Sequence, residues 1–187
     1  GRASMYYNTT GANNVAVGRS ALQANTTASS LVAVGYAALG SNTTGAGNVA
    51  VGTNALLDST TGGNNTAVGN NSLFSNITGA DNTVMGFEGM KASTTGADNT
   101  SVGYQSLYDN STGSFNASFG HRALFNNTTA SNNTAVGTSA LFANTGQGNT
   151  VLGSRAAEEQ TTAQENVIIG FNAGSHTVNL TSGSFNT

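Results

Sequence analysis

The stretch NNTAVGNNSLFSNITGADNTVMG, residues 64–86, contains nearly the same pattern twice. Each copy has an Asn-Thr pair, two apolar residues and a glycine, so Gly69 and Gly86 mark equivalent points of a repeated unit. The same glycine recurs along the chain at a constant interval, except for one interval that is one residue shorter. The full column is Gly18, Gly35, Gly52, Gly69, Gly86, Gly103, Gly120, Gly137, Gly153 and Gly170. Such periodicity predicts a repeat architecture.

The repeat unit can be numbered from its asparagine, which gives the consensus N-[T/V]-A-V-G-x-x-[A/S]-L-x-x-N-T-T-[G/A]-x-x. Residues 1–13 form a partial repeat, 14–165 form nine repeats, 166–185 form a longer tenth repeat with a loop insertion, and 186–187 start the next repeat. The single short unit lies in ANTGQGN, where one Thr of the usual pair is missing. We therefore expect a fragment of a longer array.

The composition is unlike that of an ordinary globular domain. Only 7% of residues are charged and 7% aromatic, Pro, Cys and Trp are absent, and there are 25 Gly and 26 Asn among the 187 residues. The net charge of −3 provides no cationic surface for phosphates or anionic lipids, so we expect neither nucleic-acid binding nor membrane insertion. The absence of cysteine excludes thiolate chemistry.

The repeat favours short strands separated by Gly, Asn and Thr corners, because Gly and β-branched residues interrupt every helical window. Coils of an all-β parallel solenoid would place each residue about 4.8 Å from its counterpart in the next coil. The apolar positions four and nine are then predicted to fill the core, each buried side chain contributing roughly 1.5–3 kcal/mol. These core residues are Val17, Val34, Val51, Val68, Leu22, Leu39, Leu56 and Leu73. The predicted corner glycines, with positive φ, are Gly18, Gly35, Gly52, Gly69, Gly86 and Gly103.

Two polar columns are predicted to be structural. Asn at position one can form a ladder of amides that hydrogen-bond from coil to coil. Thr at position fourteen offers a similar column of hydroxyl groups, which includes Thr27, Thr44 and Thr61.

Two columns carry aromatic residues that suggest partners. Position ten lies beside the core leucine, so its aromatic residues are predicted to face other copies of the chain. These interface candidates are Phe74, Tyr108, Phe125 and Phe142. Position six, just past the glycine, holds Tyr36, Phe87, Tyr104 and Phe171. These side chains could stack on sugar rings of a host glycan, or they could pack against neighbouring chains or coils.

The sequence indicates no catalytic, metal or cofactor site. His121 and His176 have no recurrent carboxylate near them in the repeat, and Asp81 and Asp98 are the only acidic pair that shares a column in consecutive units. A solvated corner is the simpler interpretation of that pair. Glycosylation sequons, for example at Asn8, Asn25, Asn42, Asn76 and Asn110, follow from the Asn-Thr-Thr corner itself.

The segments NVAVG, NTAVG and NVIIG resemble the head repeats of trimeric autotransporter adhesins of the YadA-like family. The whole array more closely resembles the NTAVGxxAL…NTTG arrays of bacteriophage tail fibres, notably of phages of cyanobacteria and other marine hosts, and of related bacterial surface proteins. This resemblance implies a left-handed parallel β-roll, with three chains side by side, in a fibre shaft or an adhesive head. The repeat of this chain is longer than is usual in adhesin heads, which implies a larger cross-section.

Our leading interpretation is a non-enzymatic shaft of a homotrimeric phage tail fibre, located in the virion and involved in host attachment. Its partners would be two further copies of the chain, with a host surface glycan as an additional candidate. The alternative is a bacterial cell-surface adhesin whose repeats contact host or matrix. A third class is an ice-binding solenoid, but adjacent threonines at a corner face different ways, whereas a flat ice-binding face needs alternate threonines.

Overall fold

The computed structural model describes residues 1–162 and 164–175. Within these residues each repeat contributes one three-residue strand, and there is no helix. The strands are β1 Val15–Val17, β2 Val32–Val34, β3 Val49–Val51, β4 Thr66–Val68, β5 Thr83–Met85, β6 Thr100–Val102, β7 Ala117–Phe119, β8 Thr134–Val136, β9 Thr150–Leu152 and β10 Val167–Ile169.

The ten strands form one parallel sheet in chain order, each paired with the strand of the next coil. Equivalent residues stand opposite each other, so Val15 pairs with Val32 and Val17 with Val34. The same register holds across the shortened coil, where Val136 pairs with Leu152. The predicted parallel β-solenoid, with one repeat unit per coil, is therefore confirmed. The predicted loop insertion, His176 and the start of the next repeat lie outside the described residues.

Each strand places only its middle residue inside the coil. From β2 to β10 position three is buried, as at Ala33, Ala67 and Val84, whereas positions two and four point outward. The predicted placement of the position-four valines in the core is wrong: Val17 is 56% exposed. Val51 is also exposed, and Val34 and Val68 are only half-buried. The cause is the two-residue period of a strand. Because Asn at position one faces inward, position three also faces inward and position four faces outward.

The leucines at position nine occupy the centre of the coil in an unusual backbone conformation. Leu22, Leu39, Leu56 and Leu73 are fully buried, and their φ angles are all 51° or 52°. The left-handed conformation costs a residue with a side chain roughly 1–2 kcal/mol. Burial of the leucine side chain, which contributes roughly 1.5–3 kcal/mol, offsets that cost. The tight turn is closed by a 3.2 Å hydrogen bond from the Asn25 amide to the Leu22 carbonyl.

The corner glycines have the predicted positive φ, between +133° and +147° for the six named above. A second constraint comes from the next coil: a Cβ built at Gly69 would overlap the carbonyl oxygen of Gly86. The column therefore needs glycine for both backbone conformation and close approach.

The predicted amide ladder at position one is confirmed. The side-chain oxygen of Asn48 accepts hydrogen bonds from the Asn65 backbone amide (2.8 Å) and the Asn65 side-chain amide (3.2 Å). The Asn65 side chain also donates to the Gly79 carbonyl, at 2.9 Å. The arrangement recurs at Asn82, Asn99 and Asn116. These buried amides satisfy the corner backbone from inside the coil.

A second internal amide column lies at position twelve. Asn127 is fully buried, and its side chain donates to Asn110 Oδ1 (2.9 Å) and to the Ala130 carbonyl (3.0 Å). Serine replaces asparagine in this column at Ser59 and Ser93. There the ladder is interrupted, because a serine side chain is too short to reach the same acceptors.

The threonines bond from coil to coil at position thirteen rather than at position fourteen. Thr26 Oγ1 donates to the Thr43 carbonyl (3.1 Å) and Thr43 Oγ1 to the Thr60 carbonyl (3.0 Å). In the predicted column, Thr27, Thr44 and Thr61 are exposed. The column that was expected to be structural is therefore a row of solvent-facing hydroxyl groups.

Candidate interaction surfaces

The outward side chains of positions two and four on β1–β10 form a long surface that we call the apolar strip. Its most exposed members are Ile169 (67%) and Val17 (56%). Other exposed large apolar residues of the strip are Val15, Val51, Met85, Phe119, Leu152 and Val167. Both rows lie on a single sheet with uniform register, so their side chains are spaced regularly along the rod.

The strip carries no charge. Position two contains Val, Thr or Ala, and position four contains Val, Met, Phe, Leu or Ile. A soluble monomer rarely exposes an apolar row as long as the one at position four, and such surfaces mark interaction sites.

Three rings at position six form a second surface, which we call the aromatic ledge: Phe87, Tyr104 and His121. The Phe87 and Tyr104 rings stack with centroids 5.4 Å apart and planes 7° apart. The Tyr104 and His121 rings stack at 5.1 Å and 10°. All three side chains are exposed, so each ring is held by its neighbour without being buried. Of the other predicted glycan contacts, Tyr36 lies under the Arg19 guanidinium (5.8 Å), and Phe171 is 78% exposed.

A row of polar side chains at position seven runs beside the ledge. Glu88 accepts hydrogen bonds from Lys91 Nζ (2.6 Å) and from Gln105 Nε2 (2.9 Å). The oxygen of Gln105 in turn accepts a hydrogen bond from Arg122 Nε at 3.0 Å. The hydrogen bond from Lys91 is the main reason that the pKa of Glu88 lies below its ordinary value. These side chains are therefore fixed in place, and Glu88 is ionised at neutral pH.

The predicted interface residues at position ten form a third column, which is half-buried. Tyr108 stacks on Phe125 with centroids 5.0 Å apart, and Phe125 stacks on Phe142 at 5.1 Å. Cations cover parts of the same rings, with Lys91 Nζ 5.7 Å from the Tyr108 centroid and Arg122 5.3 Å from that of Phe125. Phe74 is half-buried in the same column. Because these rings already contact one another and are half-buried, they leave less exposed apolar surface for a partner to cover than the apolar strip does.

Asp81 and Asp98 are exposed, in agreement with a solvated corner. Among the described residues there is no group of three or more His, Cys, Asp or Glu side chains that could hold a metal ion. Nor does the described part of the chain contain a helix long and apolar enough to cross a membrane.

Burial also restricts the predicted glycosylation sequons. Asn25, Asn42, Asn76 and Asn110 are fully buried in the position-twelve column. Their amide nitrogens are therefore inaccessible in the folded chain.

Comparisons of the chain with protein-family models, with curated protein sequences and with solved structures found no match. Functional inference for this protein therefore depends on the geometry of its surfaces.

Proposed function

We propose that this chain is a segment of the shaft of a homotrimeric phage tail fibre, a non-enzymatic virion component that holds host-attachment elements at a distance. The observation that carries the proposal is the apolar strip, which runs along all ten strands. A rod with one such surface is suited to lateral association with other rods.

The pattern of the strip favours a second copy of this chain as the partner. Its position-four row is apolar in every coil, its position-two row contains Val, Thr or Ala, and neither row contains a charged residue. A partner that covers such rows along the whole rod needs the same repeat distance and apolar residues in the same register, and an identical chain provides both. Closed cyclic assemblies are the usual outcome for identical chains. The number three follows the resemblance to phage tail-fibre arrays and adhesin heads.

The shape of the molecule supports a role as a spacer. Ten coils at about 4.8 Å each give a rod segment nearly 50 Å long. Each coil buries its apolar residues against its neighbours, so the described part of the rod has no separate globular core that would hold an enclosed active site.

Sedimentation equilibrium at micromolar concentration tests the assembly. We expect the wild-type chain to have three times its monomer mass of 18.6 kDa. Met85→Lys, which places a charge in the strip, should reduce the assembly to monomers because burying an unpaired charge is costly. Thr95→Lys, on the exposed threonine row, is the matched control and should remain trimeric. A monomeric wild-type chain, or a trimeric Met85→Lys variant, would refute the strip as the interface.

The place of the rod in the virion needs a separate experiment. Gold-labelled antibodies against the array should bind tail fibres of intact phage particles in negative-stain electron microscopy. Labelling of bacterial cell surfaces instead would contradict the fibre assignment and favour the adhesin.

A further inference from the structure

The aromatic ledge is the one run of consecutive rings at position six among the described residues. In the coils on either side of it, position six is occupied by Asn70 and Thr138, which carry no ring. The stack therefore has two end faces, one on Phe87 and one on His121. The inner ring faces cover one another, and Phe87 remains 43% exposed. An aromatic face of this kind, held in a fixed orientation, is a ready surface for another ring.

We propose that the ledge binds a glycan, with one uncharged sugar ring lying on the outer face of Phe87 as the next member of the stack. A pyranose ring has an apolar C–H face and a rim of hydroxyl groups. The C–H face suits Phe87, and the hydroxyl rim requires hydrogen-bonding groups beside that ring. The sugar would occupy the space above the exposed Asn70, where the equivalent aromatic ring is missing.

The polar groups near the Phe87 end meet the second requirement. Asn70 is exposed, and Asn71 beside it belongs to the polar row, where its side-chain oxygen accepts a hydrogen bond from Asn54. Amide side chains can both donate to and accept from sugar hydroxyl groups. The negative charge of Glu88 is balanced by its ion pair with Lys91, so Lys91 is not left as an unpaired cation for an acidic sugar, which favours an uncharged one.

The ledge is also preorganised. The stack fixes the rings, and Lys91 and Gln105 fix the carboxylate of Glu88, so binding would order few side chains. Fewer groups to immobilise means a smaller entropic cost of binding. The site lies past the corner glycine, outside the strands that carry the apolar strip, so it is independent of the proposed interface. A glycan-binding site on the side of the rod goes beyond the proposed function as a spacer.

An array of neutral oligosaccharides of glucose, galactose, mannose and N-acetylglucosamine is the test. We expect the full chain to bind at least one of them, and Phe87→Ala to weaken that binding about tenfold or more. Asn70→Tyr should also abolish binding, because the new ring would occupy the sugar position. Thr138→Tyr adds a ring at the opposite end of the ledge and should leave binding unchanged, as should Tyr36→Ala.

Circular dichroism and sedimentation of each variant should match the wild-type chain, which separates loss of the site from loss of fold or assembly. The inference is overturned if the wild-type chain binds no oligosaccharide, if Phe87→Ala binds as tightly as wild type, or if Asn70→Tyr and Thr138→Tyr have equal effects. None of these results would affect the trimer test, since the two surfaces share no residue.

Discussion

Replacement of Ser59 by asparagine should stabilise the rod, because it repairs a gap in the internal amide column at position twelve. Asn42 Oδ1 and Ser59 Oγ are both buried, and neither has a hydrogen-bond partner among the described residues. Among the described residues, the Gly62 carbonyl accepts one side-chain hydrogen bond, from Asn48 at 2.7 Å. In the next coil the equivalent carbonyl of Gly79 accepts two, from Asn65 and Asn76. An acceptor position therefore stands open for an amide at position 59.

The bonds of Asn127 show what the new side chain would do. By analogy with its two bonds, the amide introduced at position 59 would donate to Asn42 Oδ1 and to the Gly62 carbonyl. Each such bond contributes about 0.5–1.5 kcal/mol net, so the free energy of unfolding should rise by roughly 1–3 kcal/mol. With a urea m-value of about 2 kcal/mol/M, the midpoint of unfolding should rise by roughly 0.5–1.5 M.

Urea denaturation followed by circular dichroism measures this change. Ser59→Ala removes the unpaired hydroxyl but leaves Asn42 Oδ1 unpaired, so its gain should be smaller. Ser93→Asn repeats the test two coils further along, where Asn76 Oδ1 and Ser93 Oγ are the unpaired atoms. Ser75→Asn, one position before the column, should change stability by less than about 0.5 kcal/mol. If Ser59→Asn is no more stable than wild type, the reasoning about the column is wrong.

Three further predictions concern other features of the coil. Gly69→Ala should destabilise the rod by at least about 2 kcal/mol, because alanine is strained at this positive φ and its Cβ would overlap the Gly86 carbonyl oxygen. Gly63→Ala should be tolerated, because the equivalent position in the neighbouring coils holds Ala46 and Ala80. Equal urea midpoints for the two variants would contradict this prediction. The hydrogen bond from Lys91 lowers the pKa of Glu88, so the stability from this pair should be present at neutral pH and lost as the pH falls through the lowered pKa. Lys91→Met should therefore flatten the pH dependence of the urea midpoint below about pH 5. An unchanged profile would refute the pairing. Burial raises the pKa of Asp109, so the ionised carboxylate disfavours the folded state. Asp109→Asn introduces the residue type that Asn126 provides in the next coil, and it should stabilise the folded chain at pH 7 but not at pH 3. A gain of the same size at both pH values would argue against this cause.

The period made the solenoid predictable from the sequence. Once equivalent residues stack from coil to coil, the glycine column must turn corners and the position-one asparagines must meet, and both expectations hold. The inward face was harder to assign, because the consensus contains Ala and Val side by side and the valine is more hydrophobic. The variation within each column carries the relevant signal. Position four tolerates Val, Met and Phe, as at Val68, Met85 and Phe119, which suits an outer surface. Position three holds mostly small residues because the interior is narrow.

Other features could not be predicted from residue type. The left-handed backbone of Leu56 and its equivalents contradicts the intrinsic preference of leucine, and it exists only because the surrounding coil buries that side chain. The stacking of Phe87, Tyr104 and His121 follows from their spacing of one repeat, and the same argument could have found the Glu88, Gln105 and Arg122 row. The identity of any partner depends on a surface that a single chain leaves open, so neither the proposed trimer nor the proposed glycan site follows from the period alone.

The uniform register of the sheet has a consequence for how this protein can evolve. Each described strand pairs with the strands of the preceding and following coils, and Val136 still pairs with Leu152 although the coil between them is one residue shorter. Duplication or deletion of a whole repeat unit in the gene would therefore join two compatible surfaces and leave every other contact intact. The reach of the rod can change in increments of about 4.8 Å. Recombination between repeats can thus adjust the distance between the two ends of the molecule without redesigning either end.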